Sequence, residues 1–153
     1  AFLHNEAPIS RKALMRKVQN AWSISRSGSR VESVFDVALN GLRTRRTMDE
    51  DRIFFWRPDQ DPDSYAVYRV LDADGDKRTI EEIPSQEIRT AMMEVLREQI
   101  GLSEADLLRE TARKFGFPRM GVVIENCIRY AMNLALDAGL LRRAENGNIV
   151  AVE

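Results

Sequence analysis

The sequence predicts a mostly helical α+β fold made of two winged-helix-like units with small β-hairpin wings. Three observations predict it: an internal repeat at a constant offset, a pair of helix patterns joined by a short turn in each copy, and two short strand patterns after each pair. We expect a first, basic unit at residues 1–70, an acidic linker with a hairpin at 71–83, and a second unit at 84–153.

The repeat aligns residues 9–42 with residues 102–135 without a gap, at an offset of 93. Eight of the 34 aligned pairs are identical, including Arg26 with Arg119 and Gly28 with Gly121. Amphipathic helices alone can produce such matches by chance. A shared Arg-x-Gly turn at the same place between both helix pairs favours duplication.

The first helix of each pair begins at a serine, Ser10 or Ser103. A serine oxygen accepts a bond from a first-turn N–H that otherwise lacks a partner, so both serines are predicted N-caps. The second helix of the second copy is predicted to end at Gly139.

Extended segments follow each helix pair. In the second copy Asn146 and Gly147 separate two apolar runs, which is a strong signal for a tight hairpin. In the first copy residues 43–46 and 53–56 flank a longer polar tip. A further hairpin is predicted between residues 65–70 and 78–80, around Asp74 and Gly75.

A third amphipathic helix precedes the second copy, from Pro84 to Gly101. A winged-helix core needs such a helix to close its base. The first copy has no counterpart in this sequence, and we expect its helix to lie outside the residues given.

Composition predicts a cytoplasmic, globular protein. Apolar residues make up 44% and charged residues 31% of the chain, and no apolar stretch is long enough to cross a membrane. The single cysteine, Cys127, cannot form an internal disulfide and is predicted to be a core thiol. The net charge of −1 is unevenly distributed, with +6 over residues 1–48, −6 over 49–83 and −1 over 84–153.

The basic residues of the helix pairs and wings are the candidate site, because guanidinium groups are permanently charged and match phosphate geometry. In the first copy the candidates lie in the turn, at the start of the second helix and at the root of the wing: Arg26, Ser29, Arg30, Ser33, Arg43, Arg45 and Arg46. The second copy offers Arg119, Arg142 and Arg143. The alternative is an ordinary solvated face.

The second copy is expected to bind nucleic acid less well, because acidic residues dilute its arginines. These are Glu104, Asp106, Glu110 and Glu125. Packing against another domain is the role we expect for this copy. The acidic linker is either solvated or a DNA mimic that shields the basic copy.

Catalysis, a cofactor and a metal site are not predicted. His4 is the only histidine, the nucleotide-binding Gly-x-x-x-x-Gly-Lys-Ser/Thr pattern is missing, and no His/Cys cluster has metal-ligand spacing. Residues 72–76 resemble a calcium loop only superficially, because Gly75 stands at the fourth position and Ile83 at the twelfth.

Four segments resemble a known family: APIS at residues 7–10, AWSISRSGSR at 21–30, EEIP at 81–84 and RETARKFGF at 109–117. They are similar to an uncharacterised bacterial domain at the C-terminal end of very large proteins. Those proteins carry a superfamily 1 helicase-type ATPase and a nuclease-like fold related to very-short-patch repair endonucleases. The resemblance implies a DNA-processing or defence context and supplies no residue roles.

Together these observations predict a non-catalytic accessory module that binds DNA within a larger helicase and nuclease protein and contacts its other domains. The alternative is a protein–protein or interdomain docking or dimerisation module. The oligomeric state stays open at this point.

Overall fold

A computed structural model describes residues 2–25, 28–71 and 78–153. The chain divides into two compact units, residues 1–62 and residues 63–153, which we call the first and the second unit. In the described residues six α-helices and two small antiparallel sheets form an α+β structure that is about half helical. The predicted fold class is confirmed at this level.

The first unit contains three helices and one sheet. In chain order they are α1 (Phe2–Glu6), β1 (Ile9–Ser10), α2 (Arg11–Ala21), α3 (Ser29–Asn40), β2 (Arg45–Asp49) and β3 (Arg52–Trp56). The strands are antiparallel in the order β1-β3-β2, with Ile9 opposite Phe55. The strand that precedes the helix pair therefore lies beside the last strand of the hairpin.

The second unit begins its regular structure with a 3-10 helix, Ile80–Glu82. It continues with α4 (Ser85–Glu98), α5 (Glu104–Phe115), α6 (Val122–Asp137), β4 (Leu141–Arg143) and β5 (Ile149–Ala151). Leu102 and Ile149 form an antiparallel bridge, joined by two backbone hydrogen bonds of 3.2 and 2.7 Å. The order is thus Leu102, β5, β4, which matches β1-β3-β2 of the first unit.

Both predicted serine caps are confirmed. The Oγ of Ser10 accepts a hydrogen bond from the backbone N–H of Ala13 at 3.0 Å, and the Oγ of Ser103 accepts one from Asp106 at 3.2 Å. The tight hairpin at Asn146 and Gly147 is also confirmed, with Gly147 in the left-handed region at φ +85°. These local signals set where α2 and α5 begin and where the second hairpin turns.

The two cores differ in size. In the second unit α4, α5 and α6 bury a large apolar cluster that includes Phe115, Ile128 and Cys127, so the predicted core thiol is confirmed. The first unit buries a smaller cluster around Leu14, Leu39 and Phe55. In the first unit the only helix before α2 among the described residues is α1, which is five residues long.

The chain divides after residue 62, whereas the sequence predicts the end of the first unit at residue 70. The segment 63–71 belongs to the second unit: the backbone N–H of Leu71 donates to the carbonyl of Phe115 at 3.0 Å, and Arg69 contacts Glu87 at 2.7 Å. Residues 65–70 and 78–80 form no strand, so the described flanks of the predicted hairpin are not β-structure. Its turn, Asp74 and Gly75, lies outside the described residues.

Candidate nucleic-acid interface

The start of α3 carries three of the predicted site residues. Ser33 donates its hydroxyl to the carbonyl of Ser29 at 2.8 Å, so this side chain is occupied within its own helix. Arg30, the second residue of α3, is exposed and has no hydrogen bond or ion pair within the described part of the chain. Arg26 lies outside the described residues. Among the described residues, Arg30 is therefore an available cation at this helix end.

Beyond the end of α3 the three predicted arginines have different surroundings. Arg43 is exposed and has no partner among residues 2–25, 28–71 and 78–153. Arg45 lies at the start of β2, with its Nη1 3.5 Å from Oδ1 of Asp61, and both side chains are about half exposed. An exposed pair at this distance contributes little and can be exchanged for another anion.

Arg46 is exposed but makes two contacts within the first unit. Its Nη2 donates to the carbonyl of Leu39 at 2.9 Å, and its guanidinium carbon lies 5.1 Å from the centre of the Phe55 ring. Leu39 belongs to the last turn of α3, and its carbonyl also accepts a hydrogen bond from the backbone N–H of Leu42 at 3.1 Å. Arg46 therefore links the end of α3 to the sheet, which is a structural role.

Among the described candidate arginines of the first unit, the two without a partner are Arg30, at the start of α3, and Arg43, three residues beyond its end. A helix of twelve residues is about 18 Å long, so Arg30 and Arg43 mark two separate contact points instead of one cluster. The N-terminal end of a helix also adds partial positive charge beside Arg30. Such an arrangement suits an extended polyanion better than a small anion.

The second unit differs at the equivalent positions. Val122 and Val123 begin α6 where Ser29 and Arg30 begin α3, and both valines are exposed. Arg119 and Arg142 are exposed and have no partner in the described part of the chain. Two exposed valines therefore begin α6 where a serine and an arginine begin α3.

The charge of Arg143 is paired with a carboxylate of α5. Its Nη2 lies 2.9 Å from Oε2 of Glu104, which also accepts a hydrogen bond from Arg129 at 3.1 Å. The hydrogen bonds from Arg143 and Arg129 hold the pKa of Glu104 below its ordinary value. Arg143 is thus committed to a carboxylate of its own unit.

The charges follow the same division between the units. Residues 1–62 contain eleven basic and eight acidic residues, whereas residues 63–153 contain twelve basic and sixteen acidic ones. The first unit has a net charge of +3 and the second of −4, His4 counted as neutral. Net charge alone therefore favours contact between a polyanion and the first unit over the second.

Sequence reasoning missed a buried carboxylate in the second unit. Glu87 is fully buried, and Arg69 and Arg78 contact it at 2.7 and 2.8 Å. Burial alone would raise the pKa of Glu87, but the hydrogen bonds from Arg69 and Arg78 outweigh it and hold the pKa below its ordinary value. Helical spacing could have revealed this buried position, because Glu87 lies one turn before Ala91 and therefore on the apolar face of α4.

An apolar groove on the first unit was also missed. It has a volume of about 440 Å³ and is lined mainly by side chains of α2, α3 and the turn between them, with Trp22 exposing 74% of its surface. The sequence could have indicated this groove, because the apolar face of α3 is wider than the small core of the first unit can bury.

The described residues offer neither a candidate metal site nor a candidate membrane-spanning helix. They contain no group of three His, Cys, Asp or Glu side chains placed to hold a metal ion. None of their helices combines the length and apolar character that a membrane crossing requires. The acidic turn at residues 72–76 lies outside this part of the chain.

Comparison with known proteins gives one match. Residues 3–33 match the model of a family described as a protein of unknown function, DUF3320. The match spans α1, β1, α2 and the start of α3, and it agrees with a resemblance to an uncharacterised domain family over this segment. No curated protein matches the chain, and no solved structure matches it.

Proposed function

We propose that this chain is a non-catalytic accessory module that binds DNA through its first unit. The observation that carries the proposal is a pair of exposed arginines in the described residues of the first unit, Arg30 at the start of α3 and Arg43 just beyond its end, neither of which has a partner there. DNA offers phosphates along its whole length, so contacts at both ends of one helix can be made simultaneously.

We infer further that each unit is a winged helix. Support comes from the shared sequence of elements, in which a short strand, two helices and a hairpin follow one another, and from the shared strand order. In that motif the second helix of the pair contacts the major groove with its N-terminal residues and the hairpin flanks it. Arg30 would then face bases or phosphates, and Arg43 and Arg45 the adjoining backbone.

The parent protein we propose is a large bacterial helicase and nuclease. This rests on the resemblance of the four quoted segments and on the match of residues 3–33 to an uncharacterised family. In such a protein the module would help the motor engage duplex or forked DNA in the cytoplasm.

Fluorescence anisotropy with a short labelled duplex tests DNA binding. Affinity should fall steeply between low and physiological salt, because each contact releases a counterion. The double variant Arg30→Ala, Arg43→Ala should weaken binding and reduce the slope of log K against log salt by about two. No binding at low salt would refute the proposal.

A matched control uses two exposed arginines of the second unit. Arg97 on α4 and Arg113 on α5 are exposed, and the double variant Arg97→Ala, Arg113→Ala changes the net charge equally. It should leave the salt slope unchanged. An equal loss in both double variants would show that only overall charge matters.

A second candidate function is protein docking or dimerisation through the second unit. The exposed Val122 and Val123, at the positions that carry Ser29 and Arg30 in the first unit, favour it. Sedimentation velocity should then show a salt-insensitive dimer that the double variant Val122→Asp, Val123→Asp dissociates. Val152→Asp, at another exposed valine of the same unit, should not affect it.

A further inference from the structure

The groove on the first unit is an exposed apolar surface between α2 and α3. Its lining includes Val18, Trp22, Val34, Phe35 and Ala38, and Trp22 and Val34 expose 74% and 65% of their surfaces. Large apolar side chains exposed side by side usually mark a surface that another element covers.

The second unit shows what covers the same positions. Adding 93 to Trp22, Val34, Phe35 and Ala38 of the groove gives four buried apolar residues of the second unit: Phe115, Cys127, Ile128 and Ala131. They belong to one cluster with Ile88, Ala91 and Met92 of α4, and α4 packs against both α5 and α6. Side chains that are exposed in the first unit are therefore buried by α4 in the second.

The short helix α1 corresponds to the end of α4. At the same offset, Phe2 and Leu3 of α1 correspond to Val95 and Leu96 near the end of α4. Phe2 and Leu3 pack against the small core of the first unit, and α1 contacts α2, as Val95 and Leu96 pack in the core of the second. Val18 and Phe35 belong both to this core and to the groove lining, so α1 packs against side chains next to the groove.

We infer that the groove holds an amphipathic helix of the same polypeptide, continuous with α1 and running from it in the N-terminal direction. The offset fixes its apolar positions: they lie three, four and seven residues before Phe2, where Met92, Ala91 and Ile88 lie before Val95. This spacing places all three on one helix face. The inference does not depend on DNA binding.

The test extends the chain in register. Residues 85–94 of α4 are placed before Phe2 in exchange for Ala1, with the change Glu87→Ala because Arg69 and Arg78 are absent from the first unit. The matched control extension also carries Ile88→Ser, Ala91→Ser and Met92→Ser. Trp22 reports on the groove, since the other tryptophan, Trp56, is fully buried already.

The apolar extension should shift Trp22 emission to the blue and reduce its quenching by acrylamide several-fold, and the serine extension should do neither. Val34→Asp should abolish the effect, whereas Val37→Asp should preserve it, because Val37 is equally exposed on α3 and does not line the groove. Both aspartates replace exposed side chains, so the unit should stay folded.

Equal acrylamide quenching with the apolar and serine extensions would overturn the inference. So would protection of Trp22 in the unextended chain at concentrations where sedimentation velocity shows a dimer, because a second copy would then be the occupant. A Trp22→Phe variant of each chain, which leaves only Trp56 emission, provides the baseline for both measurements.

Discussion

Arg78 Nη1 lies 2.8 Å from Oε2 of Glu87, a carboxylate that is fully buried in the second unit. Arg69 contacts the same oxygen at 2.7 Å, and its backbone N–H donates to the other oxygen, Oε1, at 3.0 Å. One side chain of α4 thereby holds both segment 63–71 and Arg78 against the helix. This anchor explains why the segment belongs to the second unit.

Glu87→Ala should lower the free energy of unfolding of the second unit by about 3–5 kcal/mol, because it leaves a largely buried Arg78 without a counter-charge. Urea denaturation followed by far-UV circular dichroism measures the change. Glu98→Ala is the matched control: Glu98 pairs with Lys114 at the surface, and its loss should change stability by about 0–1 kcal/mol. Equal effects of the two substitutions would contradict the anchoring role.

The lowered pKa of Glu87 predicts a pH dependence. A folded-state pKa below the ordinary value of 4.5 adds stability that is present above that value and is lost as the pH falls through the folded pKa. The stability difference between the natural chain and Glu87→Gln should be constant near neutral pH and shrink below about pH 4.5. Urea unfolding at several pH values measures it, and a difference that grows on acidification would be inconsistent with this assignment.

Ser10→Ala and Ser103→Ala should each lower the stability of their own unit by about 1 kcal/mol, because each removes an N-cap hydrogen bond. Ser33→Ala is the control, since its hydroxyl bonds a carbonyl within α3 and its loss should stay within about 0.5 kcal/mol. Thermal unfolding compares the three. A control that destabilises as strongly as the caps would show that the serines matter for another reason.

Substitution of Arg46 should mainly lower stability, whereas substitution of Arg43 should mainly weaken DNA binding. Arg46→Ala should destabilise the first unit by about 2 kcal/mol, because it removes a charged hydrogen bond to Leu39 and a ring contact to Phe55. Arg43→Ala should change stability by no more than about 0.5 kcal/mol and weaken DNA binding. Urea unfolding and anisotropy measure the two properties. The reverse order in both assays would refute this division of roles.

Local features of the fold could be predicted because their causes lie within a few residues. A serine before an amphipathic run caps a helix whatever surrounds it, and Asn146-Gly147 favours a tight turn on its own. Because the sequence repeats, a local prediction made in one copy also applies at the equivalent position of the other copy. Ser10 with Ser103 shows how one physical signal occurs twice.

Features that depend on distant partners could not be predicted in this way. Arg143 is occupied by Glu104, which lies 39 residues earlier in the sequence, and Arg46 is occupied by a backbone carbonyl that no sequence pattern marks. The segment 65–70 alternates as a strand does, but its Arg69 is fixed by Glu87 and its Tyr68 packs edge-on against Phe115. Tertiary contacts overrode the local pattern there.

In the proposed function the first unit supplies the cationic DNA-binding surface and the second unit does not. Backbone amide chemical-shift mapping during titration with a short duplex at low salt distinguishes the two units. We expect the changes to concentrate around Arg30 and Arg43 and to be small at Val122 and Val123. Changes centred on the start of α6, or an unchanged spectrum at saturating duplex, would contradict the account.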